Sequence, residues 1–224
     1  MTSFKERWEN VSRRIEVACR DAGRNRDEVK VVAVSKKQAM DRLNEAYALG
    51  IRDFGENYAQ ALSQRMAEMP PDIRWHMIGH LQTNKVRLLS DRVFSIHTVH
   101  SEKLVRRIVG AGERQHPIEF LLQVNIGEEP QKSGVTPGEL PTLLEALQNQ
   151  NITGLEGLMA IPPRDDNPRR WFAALRELRD QMAQRFEFAL PTLSMGMSAD
   201  FEDAIREGAN LVRLGTVLFG PRPS

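Results

Sequence analysis

The chain has 224 residues, 31 basic against 30 acidic side chains and a formal charge of +1, so its bulk electrostatics attract neither nucleic acid nor an anionic membrane. A hydrophobic fraction of 41% with 27% charged residues belongs to a globular protein with a sizeable core. The single cysteine, Cys19, excludes an internal disulfide, and with no signal-like start and no apolar run of about 18 residues the sequence reads as a reduced, soluble, cytoplasmic protein.

In chain order, the pattern predicts an amphipathic helix over 3–22 with Phe4, Trp8, Val11, Ile15 and Cys19 on one face, stopped by Gly23. The β-branched run 29–35 is then a strand buried on both faces, ending on Lys36 and Lys37. A helix over 41–49 follows, with Asp41 as N-cap and Gly50 as stop. The alternation continues as strand 52–55, helix 58–68 closed by Pro70-Pro71, strand 74–78, helix 82–89 and strand 93–96. Ser101 caps a helix to Val109, ended by Gly110 and Gly112. The second half repeats the scheme: strand 118–125, helix 138–148, strand 152–158, helix 167–186, strand 192–194, helix 200–207 and strand 211–214. Eight strand-helix alternations joined by short connections predict one domain over 1–224, an α/β fold of the (β/α)8 TIM barrel type with an extra N-terminal helix. An open doubly wound sheet is disfavoured because no Gly-x-Gly-x-x-Gly follows the first strand.

In such a barrel, chemistry sits at the C-terminal strand ends. A lysine emerging there from an apolar wall loses hydration and becomes a nucleophile, although most loop lysines are inert. The last two strand exits hold Gly196 and Gly215, which permit close backbone approach, and the hydroxyls of Ser198 and Thr216. The helix opening near Asp200 would aim its positive end at the same place. Together these parts suggest a phosphate cup. A phosphate cup plus a strand-end lysine fits a ligand with a phosphate at one end and a carbonyl at the other: pyridoxal phosphate or an aldolase-type sugar phosphate. Arg213, at the end of the eighth strand, either points inward, where a permanent cation would keep a pyridine nitrogen unprotonated, or is a surface or phosphate-pairing arginine.

Six stretches carry a family resemblance: Ala33-Val34-Ser35-Lys36, Phe54-Gly55-Glu56-Asn57-Tyr58, the segment from Trp75 to Lys85, Gly157-Leu158-Met159-Ala160-Ile161, the segment from Leu193 to Asp200, and Val212-Arg213-Leu214-Gly215-Thr216. In this order they resemble the pyridoxal phosphate homeostasis proteins, single-domain relatives of the alanine racemase N-terminal barrel. The resemblance implies a fold-type III barrel holding pyridoxal 5′-phosphate as a Schiff base on Lys36, and it alone selects Lys36 over Lys37. It implies phosphate contacts from Ser198, Gly215 and Thr216 and from the Met197 backbone N–H. Arg213 would face the pyridine nitrogen, with Asn57 and His80 near the cofactor. Lys132, in Gln131-Lys132-Ser133-Gly134, is linked by the same resemblance to cofactor handling outside the main site. The implied role is cofactor binding and vitamin B6 and amino-acid homeostasis without established catalysis, with pyridoxal phosphate-dependent apo-enzymes as recipients.

The alternative is an amino-acid racemase, which needs a second acid/base opposite the lysine. Alanine racemases take a tyrosine from a C-terminal domain of a partner subunit; here no such domain follows the eighth strand. Of the two tyrosines, Tyr47 lies mid-helix and Tyr58 is read as packing, which leaves His80 as a substitute base. His76, His80, His97 and His100 resemble a metal cluster in print, but strand alternation separates His76 from Trp75 and Met77, no carboxylate is placed with the histidines and no Cys pair exists, so no metal is expected. Arg106-Arg107 and Arg169-Arg170 read as solvated helix faces. A monomer is expected because no long apolar surface segment lies beyond the barrel.

Overall fold

In the computed structural model, which describes residues 2–89, 92–111, 118–164 and 167–221, the strand before the lysine pair is β1 (Lys30–Val34). It lies parallel between β2 (Asp53–Glu56) and β8 (Leu211–Leu214). The sheet runs on through β3 (Arg74–Met77), β4 (Val93–Val99), β5 (Glu119–Gln123), β6 (Leu155–Met159) and β7 (Thr192–Ser194), closing into an eight-stranded parallel barrel. Strand alternation divides these residues between two environments. Val31, Ala33, Phe54, Trp75, Val212 and Leu214 join the core between sheet and helices. Val32, Gly55 and the residues in register with them face the bore; a Cβ on Gly55 would meet the Val32 side chain at 2.7 Å.

The helical layer comprises α1 (Phe4–Asp21), α2 (Met40–Ala48), α3 (Ala59–Glu68), α4 (Glu102–Val109), α5 (Leu140–Asn149), α6 (Arg169–Phe186), α7 (Phe201–Arg206) and α8 (Thr216–Phe219). A capping box starts α1: Glu6 N–H donates to Ser3 Oγ at 3.2 Å and Ser3 N–H to the Glu6 carboxylate at 2.7 Å. The apolar face of α1 packs against α7 and α8, with the Phe4 and Phe219 rings 5.1 Å apart. No helix among the described residues is long and apolar enough to cross a membrane.

Several elements differ from their sequence patterns. The third crossover is a 3-10 helix, Thr83–Leu88, because it buries only Val86 and has no apolar stripe to hold an α-helix against the sheet. Asp41 is not the cap of α2. The turn after β1, closed by Gln38 N–H to Ser35 O at 2.9 Å, starts the helix early, so Ala39 takes the cap position without a side-chain bond. β4 runs on to Val99 rather than stopping at Ile96, since His97 and Thr98 are polar yet buried. β6 starts at Leu155, three residues late, after a left-handed turn at Asn151. α8 is an element that the sequence pattern left as loop. Gly112, expected beyond α4, lies outside the described residues.

Candidate functional site

The C-terminal exits of β1 and β2 are tied together by one buried carboxylate. Glu56, 1% exposed, accepts the Asn57 N–H at 2.7 Å and pairs with Arg65 of α3 at 3.2 Å. Ser35 Oγ lies 3.0 Å from Gly55 O and 3.2 Å from Glu56 Oε2, and Arg65 also donates to Gln38 O at 3.0 Å. The loop carrying the two lysines is therefore pinned on both sides. Lys37 takes a left-handed turn conformation (φ 60°) and is exposed, whereas Lys36 is half-buried. The Lys36 Nζ stands 5.2 Å from the centroid of the Tyr58 ring, and among the described residues no carboxylate pairs with it. Tyr58 is 55% exposed, so its ring borders the lysine and does not fill the core as its sequence position suggested.

At the neighbouring exits, Gly196 turns the chain after β7 with φ +90°, and a Cβ there would strike the Ala204 side chain at 2.6 Å. The turn brings Ser198 against the loop after β8. Its Oγ accepts the N–H groups of Gly215 and Val217, each at 3.3 Å, so two backbone donors converge on one oxygen. Thr216 lies between those donors and is exposed. The Met197 N–H does not point into this cup: Asp200 Oδ1 accepts it at 2.6 Å. Asp200 folds back in this way and makes no side-chain cap on α7, while burial pushes its carboxyl up from the ordinary value. A Cβ on Gly215 would lie 3.5 Å from that of Val34, which places the cup beside the β1 exit.

Arg213 is 4% exposed, which removes the surface-arginine alternative. Its Nη1 donates to Ser194 Oγ at 2.6 Å and its Nη2 to Ala160 O at 3.0 Å. Burial pushes its pKa down to about 10 against the opposing pull of Asp200, so the guanidinium remains charged at neutral pH.

Residues 9–223 match the family model described as alanine racemase, N-terminal domain. A pyridoxal phosphate homeostasis protein of Aquifex aeolicus is 42% identical over 223 residues, covering 97% of each chain. One of Pseudomonas aeruginosa is 40% identical, covering 99% of this chain and 97% of its own. This chain belongs to the pyridoxal phosphate homeostasis protein family. Among solved structures, PipY of Synechococcus elongatus with PLP bound matches with a TM-score of 0.74 at 34% identity, covering 86% of this chain and 93% of PipY. Alanine racemase of Corynebacterium glutamicum shares the fold, with a TM-score of 0.67 at 16% identity; 96% of this chain covers 62% of that enzyme.

In this homeostasis-family chain the sequence-predicted residues fall into two groups. Lys36, Ser198, Arg213, Gly215 and Thr216 stand at the adjoining exits of β1, β7 and β8. Asn57, His80 and Lys132 instead line a cleft of about 330 Å³ over β3 to β6, together with Gln123 and Asn125. Gly79 holds the seam between Asn57 and His80: a Cβ there would sit 2.1 Å from Asn57 O. His80 stacks on His100 with ring centroids 5.1 Å apart, and burial, reinforced by the charge of His100, lowers its pKa. Lys132 pairs with Glu129 and donates to Pro162 O at 2.9 Å.

Three further groups were not singled out in the sequence: the Glu56–Arg65 pair, Ser194 below Arg213, and Asp53. The last corrects the reading of the histidines, because a carboxylate does lie with them. Asp53 Oδ1 is 3.0 Å from His76 Nε2, and His76 Nδ1 is 3.0 Å from His97 Nε2. His76 and His97 are thus hydrogen-bonded to each other, His80 and His100 stack, and no cluster of three or more metal-binding side chains occurs among the described residues.

Proposed function

We propose that this chain binds pyridoxal 5′-phosphate reversibly at the C-terminal mouth of the barrel and serves cytoplasmic cofactor homeostasis without catalysing amino-acid chemistry. The observation that carries this reading is the pairing of an amine at the β1 exit, with no carboxylate partner among the described residues, with two backbone donors converging beside it at the β8 exit. That donor set suits a phosphate oxygen, which would take the place of Ser198 Oγ as acceptor. When bound, the cofactor supplies an aldehyde for the lysine and a phosphate for the cup.

Lys36 would hold the cofactor through Nζ, the amine to which the aldehyde would attach covalently and reversibly. Ser198, Gly215 and Thr216 hold the phosphate; the Met197 N–H joins them only if Asp200 lets it go. Arg213 would hold a fixed positive charge in the floor of the site, where it would disfavour a proton on the ring nitrogen and weaken the ring as an electron sink. Asn57 and His80 border the cofactor from the neighbouring cleft, and Lys132 handles it beyond the main site. Apo-enzymes that require the cofactor are the recipients in this reading.

Racemisation is the second reading, favoured by the closeness of Tyr58 to Lys36. It would require a second acid or base on the face opposite the lysine. The test is borohydride reduction of the cofactor-loaded protein followed by peptide mapping. A pyridoxyl label on Lys36, absent from Lys36→Ala, is expected; a fully coloured Lys36→Ala protein overturns the site. Exchange of an amino-acid Cα proton at enzyme-like turnover that vanishes in Lys36→Ala would overturn the non-catalytic half.

A further inference from the structure

Arg213, given a binding role above, is also the end of a buried polar chain that crosses the bore. Ser194 Oγ lies 2.6 Å from Arg213 Nη1 and 3.0 Å from His97 Nδ1. His97 Nε2 meets His76 Nδ1, and His76 Nε2 meets Asp53 Oδ1, each at 3.0 Å. None of the five residues is more than 9% exposed. Asp53 reaches the N-terminal mouth, where Arg74 donates to it through Nε at 2.8 Å. Barrel bores are ordinarily filled by branched apolar side chains, and apolar filling avoids the cost of desolvating polar groups. A continuous polar chain there calls for a role beyond filling space.

The hydrogens of the chain follow by elimination. Arginine only donates, so Ser194 Oγ accepts from Arg213. Burial raises the Asp53 carboxyl, but hydrogen bonds from Arg74 and His76 outweigh it and hold the group well below its usual range; as a carboxylate it only accepts, so His76 Nε2 carries a hydrogen. If each imidazole carries a single hydrogen, His76 Nδ1 accepts from His97 Nε2–H, and His97 Nδ1 accepts from the Ser194 hydroxyl. Every bond runs the same way, from the guanidinium to the carboxylate, and such aligned chains polarise one another. One added proton on His76 would reverse both inner bonds and deprive the Ser194 hydroxyl of His97 as acceptor.

We propose that Ser194, His97, His76 and Asp53 are positioning residues for Arg213, fixing its guanidinium in the floor of the cofactor site and linking that orientation to a counter-charge at the opposite mouth. Two anchored nitrogens, one on Ser194 and one on Ala160 O, leave the guanidinium plane no freedom to turn. The competing attraction is Asp200, whose carboxylate acts on Arg213 from the cup side while holding the Met197 N–H. Without Ser194, Arg213 swings towards Asp200 and away from the ring. The inference rests on the proposed cofactor site.

The test compares wild type, Ser194→Ala, Ser194→Thr, His97→Phe and the Ser194→Ala/His97→Phe pair, each loaded with pyridoxal 5′-phosphate and matched for occupancy. Ser194→Ala is expected to retain the borohydride label on Lys36, to alter the visible circular dichroism of the bound cofactor and to release it about tenfold faster, the effect of one hydrogen bond to a charged group. Ser194→Thr, which keeps the hydroxyl, restores the wild-type spectrum. His97→Phe gives the same optical change, and the pair adds little to either single change because both act through one chain. Unaltered spectra in both single variants, with wild type labelled, overturn the positioning chain alone. An unlabelled wild type overturns the cofactor site and, with it, the target of Arg213. A measurement on unmutated protein guards against misfolding: imidazole 15N shifts should show a hydrogen on the Nε2 of each histidine and none on either Nδ1. A hydrogen on either Nδ1 overturns the chain.

Discussion

The two mouths of the barrel dispose of their charges in opposite ways. At the N-terminal mouth the Asp53 carboxylate takes up both Arg74 and His76. At the C-terminal mouth Lys36 has an aromatic ring beside it and no carboxylate, Arg213 is held by neutral oxygens, and two backbone N–H groups are satisfied only by the hydroxyl of Ser198. One end spends its polar groups on holding the barrel together. The other keeps a nucleophile, a cation and paired donors available for a ligand. Substitutions at the first mouth should therefore act on stability, and those at the second on cofactor retention.

The largest expected effect tests that division directly. Asp53→Ala leaves the His76 Nε2–H buried without an acceptor and removes the partner of Arg74. A broken buried pair costs about 3–5 kcal/mol, but Arg74 is 46% exposed and rehydrates, so a loss of about 2–3 kcal/mol is expected in urea unfolding of the cofactor-free protein. Lys36→Ala should change the same quantity by less than about 0.5 kcal/mol, since no ion pair is lost. A reversed order would dissolve the contrast between the mouths.

Much of the barrel was legible in the sequence, because buried strands such as the β-branched run of β1 alternate with helical stripes along most of the chain. What stayed hidden has specific causes. The four residues of α8 are too few to show a period, and the third crossover lacks an apolar stripe. β4 was cut short because His97 and Thr98 look like the end of a buried strand. At the site, Lys36, Arg213 and the Ser198 and Gly215 loops were visible as polar or small residues at strand ends. The bore was not visible: Ser194 and His97 touch across 97 positions of sequence, and no local pattern reports such a contact. Asp200 read only as the opening of a helix, yet its carboxylate folds back to accept the Met197 N–H.

A smaller effect is expected from pH, and it sharpens the comparison by isolating the bore between the mouths. Burial, reinforced by the positive charge of Arg213, holds the His97 imidazole well below its ordinary pKa. The unfolded chain, with a histidine pKa of about 6.5, therefore takes up a proton before the folded chain does. Above that value His97 carries no penalty. As pH falls below it, stability drops by about 1.4 kcal/mol per pH unit until the folded pKa is reached. Asp53 acts lower: its depressed pKa stabilises fully above about pH 4, and that contribution fades as pH falls through the folded value. Denaturation of cofactor-free wild type at pH 7.5 and 5.5 should show the first loss, and His97→Gln should flatten it. Equal slopes in the two proteins would mean that His97 is protonated inside the barrel.

The smallest effect belongs to the cup. In the cofactor-free protein Ser198→Ala deprives the Gly215 and Val217 N–H groups of their acceptor, but Gly215 and Val217 are only partly buried, so water replaces the hydroxyl and the stability change should stay under about 1 kcal/mol. In the loaded protein the same change removes a donor to the phosphate. Cofactor release should then quicken about tenfold, and further when Thr216→Ala is added, while the borohydride label on Lys36 survives. The balance of the two readouts is what matters. A stability loss with unchanged release would make Ser198 a structural cap of the β8 loop, and the C-terminal mouth would then resemble the N-terminal one in serving the fold.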